Sequence, residues 1–138
     1  MEQLKKVNPK SLNIKNSVGT PLWFNSSSAD LYVEVMGHKI IHFEISYGTN
    51  IILGGIKDNL TIGEIISNDN AETPDLINRS SLVAPSSHSR EKIIPLALQI
   101  IQATPELPSD IAEGITRFLQ SDGQDNSSLT MQRPYRSI

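Results

Sequence analysis

Residues 30–57, DLYVEVMGHKIIHFEISYGTNIILGGIK, alternate apolar and polar side chains between two glycine-bearing turns. A period of two sends successive side chains to opposite faces of a strand, so the stretch reads as a three-stranded antiparallel meander. In its first strand Leu31, Val33 and Val35 share a face and leave Tyr32 and Glu34 on the other. In its second, Ile41, Phe43, Ile45 and Tyr47 share a face, with His42, Glu44 and Ser46 opposite. Apolar must meet apolar on the buried side, which sets Val33 across from Phe43 and Glu34 across from His42.

The turns then constrain the register. A two-residue turn at Gly37-His38, the form a leading glycine favours, puts Val33 opposite His42 on the wrong face. One extra residue is needed, either as a bulge at the Ile40-Ile41 doublet or as a three-residue turn. Gly48-Thr49 fits directly as a two-residue turn. It pairs Ile45 with Ile52, Phe43 with Gly54 and Ile41 with Ile56, laying the Phe43 ring over a bare glycine.

Outward from the meander the signals weaken. Residues 1–10 are polar and basic and read as a flexible arm. Leu12, Ile14 and Leu22-Trp23-Phe24 suggest two short strands, with Pro21 marking an edge or a strand start. Residues 60–66 fit either a fourth strand or a helical turn opened by the capping-box pattern Thr61-Ile62-Gly63-Glu64, and the pattern tips the expectation toward the turn. Residues 67–90 form a long polar loop. Glu91 to Ala103 is apolar nearly all round, as a buried helix is, with Pro95 expected in its first turn. Ser109 reads as the N-cap of a second helix to about Ser121, with Ile111, Ile115, Phe118 and Leu119 as its buried stripe. Gly114 weakens that helix by about 1 kcal/mol relative to alanine unless close packing on the first helix needs the gap. Residues 122–138 lack periodicity and read as a disordered tail.

The whole chain bounds the function classes. Its 138 residues, 38% of them hydrophobic, suffice for one modest core. Twelve Lys and Arg against fifteen Asp and Glu give a net charge of −3 without a basic run, which argues against a nucleic-acid partner. The second helix carries one cation, Arg117, and is no recognition helix. The absence of cysteine removes disulfides, thiolate catalysis and cysteine-ligated zinc. The run Ile93 to Ile101 is broken by Pro95 and Gln99 and falls short of the roughly 20 residues that span a bilayer. No membrane association is therefore expected, and a cytoplasmic protein is. The abundance of Ile, Asn, Ser and Lys suggests an AT-rich bacterial genome.

Two places carry candidate chemistry. His42, Glu34, Glu44 and Tyr32 should lie together on the open sheet face. There they form either an acid/base or ligand-binding cluster or a solvated surface with one cross-strand ion pair, contributing about 0.2–1 kcal/mol. Ser87, His88 and Arg90 precede the buried helix. They offer hydroxyls and a cation to a phosphate or carboxylate, or simply end a Ser-rich loop in an N-cap. Gly54-Gly55 lacks any phosphate-loop frame and reads as a bulge or close-packing site. No cofactor, metal site or catalytic residue is assigned.

The sequence thus predicts an α+β fold, with an antiparallel sheet of four to five strands covered on one face by two C-terminal helices. Residues 11–121 form its single domain. The expected function is a non-catalytic protein–protein interaction or regulatory module, with a protein partner or a second copy as its ligand. The alternative is a small enzyme or anionic-ligand-binding domain whose site lies between the 67–90 loop and the sheet.

Overall fold

The computed structural model describes residues 2–7, 19–56, 58–65, 83–85 and 90–131. Seven antiparallel strands follow one another in sheet order: β1 (Lys5–Lys6), β2 (Thr20–Asn25), β3 (Ala29–Met36), β4 (Lys39–Tyr47), β5 (Asn50–Gly55), β6 (Asp58–Ile65) and β7 (Val83–Pro85). Helices α1 (Arg90–Gln102) and α2 (Ser109–Gln120) come after the sheet, and a 3-10 turn over Asn126–Leu129 closes the described chain. The fold is α+β as expected, with more strands than the four or five read from the pattern.

The meander forms in the anticipated register. Val33 pairs with Phe43 and Glu34 with His42, while Met36 pairs with Lys39 across Gly37-His38. The register then skips Ile41, so the two-residue turn is kept and the Ile40-Ile41 doublet supplies the bulge. Beyond the Gly48-Thr49 turn, Ile45 pairs with Ile52 and Phe43 with Gly54. The expected Ile41–Ile56 pair is replaced. The bulge has displaced Ile41, and the Ile56 N–H donates to the Ile40 carbonyl at 3.2 Å.

Residues 58–65 are strand, not a helical turn. A local T-x-x-E cap satisfies two backbone donors at most, whereas pairing with β5 from Asn50–Glu64 to Gly55–Asp58 satisfies a whole edge. A shift between Leu53 and Gly55 marks the double glycine as a bulge as well as a packing site.

Leu22, Phe24, Leu31, Val33, Phe43, Ile45 and Ile52 line the inner face, and the helices cover it with Ile93, Ala97, Ile100, Ile111, Ile115 and Phe118. Phe43 meets Phe118 edge to face at 5.8 Å between centroids. Pro95 lies inside α1 rather than in its first turn, on the exposed side where the ring meets solvent. In α2, Pro108 is the cap residue and Ser109 the first helical one, and Asp110 Oδ1 accepts the Ile111 N–H at 2.9 Å. Gly114 does allow a close approach, but not by α1. A Cβ there would lie 2.7 Å from the Ser128 carbonyl oxygen.

That contact belongs to a C-terminal strap, so the boundary at residue 122 needs correcting. Leu129 and Met131 are buried in the core. Thr130 bridges to Lys39, and the Met131 N–H donates to the His38 carbonyl at 2.6 Å. Two apolar anchors with backbone pairing outweigh a polar, aperiodic context. Residues 132–138 lie outside the described chain.

The N-terminal arm is likewise built in over residues 2–7. Leu4 is buried and its N–H donates to the Ala103 carbonyl at 2.8 Å. Glu2 Oε1 accepts the Ser27 hydroxyl at 2.5 Å and the Ser27 N–H at 3.2 Å. The Ser27 hydroxyl bond, reinforced by the backbone one, holds the Glu2 carboxyl below its ordinary value of 4.5. A depressed folded value means the contact contributes above pH 4.5 and is lost as pH falls through the lower folded value. An acid titration followed at the Ser27 amide by NMR should give a midpoint below 4.5. A midpoint at or above it would show that the contact does not form in solution.

Candidate functional site

The sheet face turned away from the helices brings Tyr32, Glu34, His42 and Glu44 into one block, as the alternation requires. Tyr32 stands opposite Glu44, and Glu34 opposite His42. The polar contacts run along the strands. The Tyr32 hydroxyl donates to Glu34 Oε1 at 3.3 Å, and His42 Nε2 meets Glu44 Oε2 at 3.0 Å. The Tyr32 and His42 rings lie diagonally, 6.2 Å apart.

This block is not the solvated face expected from the sequence. Tyr32 is fully buried, Glu44 is 2% exposed and Glu34 8%. Ser46 and Ile51 next to them are buried too. Only the His42 side chain keeps appreciable exposure, at 27%. A contact also runs along β4 from His42 to Glu44, beside the cross-strand placement of His42 opposite Glu34. The bulge lies just before His42 and increases the local twist. Taken from water, a carboxylate is tolerated only when paired or hydrogen-bonded, so each of these contacts is a condition of the fold.

Chemically, the block offers one accessible group. A carboxylate on Nε2 fixes the orientation of the imidazole. Among the described residues no group of three or more His, Asp or Glu is placed to hold a metal ion. Ser87 and His88 lie outside the described residues. Arg90 opens α1, with its side chain outside the description. Trp23 sits half-buried at the rim, its Nε1 donating to Asp30 Oδ1 at 3.1 Å.

A second site was not read from the sequence. Ile45, Tyr47, Asn50 and Ile52, from the β4–β5 hairpin, face Leu96 and Ala97 of α1 across a shallow, half-open cleft. The free space in it is about 10 Å³, room for a single water and not for a side chain. Asn50 Oδ1 is buried there with no hydrogen-bond donor, an arrangement that costs about 1–3 kcal/mol. Among the described residues the exposed large hydrophobic side chains are Met36 and Tyr47, and Tyr47 stands at this cleft.

Helix α1 explains the opening. Ile93, Ala97, Ile100 and Ile101 are buried, while Ile94, Leu96 and Leu98 are only half-buried on the two flanks. The apolar arc is wider than the surface the sheet and α2 cover. The signal was present in the sequence as a helix apolar nearly all round. It was read there as complete burial, because sequence alone does not say how many sides of a helix have neighbours.

The chain matches no family model, and no curated protein or solved structure is detectably similar to it.

Proposed function

We propose that this chain is a non-catalytic interaction module of the bacterial cytosol, recognised by another protein surface through the apolar flank of α1. The half-exposed flank residues, above all Leu96 beside the cleft, carry the reading. Burying one such side chain fully contributes on the order of 1.5–3 kcal/mol, so a few of them suffice to hold a partner. The polar block on the opposite face supports it indirectly. Three of its four side chains are buried and engaged in the contacts that make their burial tolerable.

Leu96→Glu tests this reading. A charge on a half-exposed flank should leave the thermal midpoint within a few degrees of wild type and weaken association at least tenfold, measured by sedimentation or with a cross-linked partner. Unchanged association would contradict it.

The small-enzyme alternative is favoured by one observation, the part-exposed His42 held at 3.0 Å by the buried Glu44. It requires a turnover that His42→Gln abolishes while the fold persists.

A further inference from the structure

The C-terminal strap fills a strand edge that the rest of the sheet leaves open. Among the described residues β5 pairs with β4 only as far as Phe43 and Gly54, and Gly55 then pairs with Asp58 of β6. One bond from the Ile56 N–H to the Ile40 carbonyl closes that contact. The edge beyond it, at His38 and Lys39, is taken by Thr130 and Met131. Leu129 and Met131 sink into the core, while Thr130 between them stays exposed. We propose that the same groove takes the strap of a second copy, in a dimer formed by mutual exchange of residues 124–131. This goes beyond the α1 flank and does not rest on it.

The occupant is argued from the seat itself. The segment that fits the groove is already in it, with Asn126 Nδ2 donating to the Gly55 carbonyl at 3.2 Å. The Ser128 carbonyl lies against Gly114, so close that a Cβ there would stand 2.7 Å away. A second copy brings an identical segment, so the exchanged dimer repeats each contact and needs no new complementarity.

Only the connection from α2 differs between the two forms. In the single chain it turns back through two successive left-handed residues, Asp122 at φ 62 and Gly123 at φ 75. Glycine adopts that conformation freely, but Asp122 holds a side chain in it. Strain at a short hinge favours the open connection, in which the chain runs on past α2 to its neighbour.

The chain has no cysteine, so introduced thiols report where the strap sits. Lys39 and Thr130 are exposed and face each other as an antiparallel bridge. Such pairs hold their Cα atoms about 4.5–5.5 Å apart, within reach of a disulfide. The double variant Lys39→Cys/Thr130→Cys, oxidised in dilute solution, should close its disulfide inside one chain. The test then mixes the two single variants of the full chain at high concentration. An exchanged strap sets the thiol of one copy beside that of the other. The mixed disulfide should exceed a collision control, Lys92→Cys with Thr130→Cys, by about tenfold. Its yield should rise with concentration by mass action and fall when Asp122→Gly relieves the hinge.

If the double variant closes while the mixed pair stays at the control level, the strap seats only in its own chain and the proposal is overturned. A double variant that fails to close overturns it as well, because the strap would not lie on β4. Leu96→Glu should leave the mixed disulfide unchanged, which separates this result from that of the α1 flank. A mixed disulfide lost with Leu96→Glu would mean that the copies meet through the flank and that exchange is wrong.

Discussion

Gly54→Val is expected to destabilise the protein by about 3 kcal/mol, the upper part of the usual range for overpacking a core. A Cβ on residue 54 would lie 2.7 Å from both Cε1 and Cζ of Phe43 and 3.0 Å from Cε2 of Phe118. Neither ring can retreat easily, since the two meet edge to face in the middle of the core. Thermal unfolding should show the midpoint falling by on the order of 10 °C. Gly54→Ala should cost less, because it adds one methyl group and gains a little backbone stiffness. Combining Gly54→Val with Phe118→Leu should recover part of the loss, which places the strain at the ring contact. Equal stability of the valine variant and wild type would mean that Phe43 does not lie over this glycine.

Gly123→Ala should be about as damaging, for a different reason. The residue ends α2 at φ 75, a left-handed conformation that costs an L side chain roughly 1–2 kcal/mol. Its added Cβ would also fall 2.2 Å from Cβ of Leu60. A Cβ cannot swing aside by rotating a side chain, so the backbone after α2 must move. The Gly123 N–H, which donates to the Phe118 carbonyl at 2.9 Å, moves with it. A loss of about 3 kcal/mol in chemical denaturation is expected. Leu129 and Met131 of the strap should also show faster backbone hydrogen exchange than the sheet. Retained stability would show that the strap does not depend on this turn.

Both positions bear on how much of the molecule was legible in its sequence. Gly54 was read correctly because the two-residue turn and strict alternation leave one register in which every inner pair is apolar. The bulge at Ile41 followed from the same constraint. Where a local pattern competed with an open sheet edge, the reading failed. Thr61 to Glu64 carries a helix-cap signature, but only the sheet could show that β5 needed a neighbour. Gly123 and the strap were missed because Leu129 and Met131 are isolated apolar residues in a polar stretch. Nothing periodic announces two anchors. The block at His42 was placed on the right face and given the right neighbours, yet its burial was missed. Alternation tells which face a side chain takes, and not what covers that face. For the same reason the flank of α1 passed for core.

Hydroxyl-radical footprinting compares the full chain in dilute buffer with the same chain in a concentrated native extract, and it tests the central claim most directly. Tyr47 and Leu96 should lose reactivity in the extract, where a partner covers them. Met36, exposed at the far end of the sheet, should stay as reactive as before. Unchanged reactivity along α1, or protection confined to Met36 and the His42 face, would contradict the account.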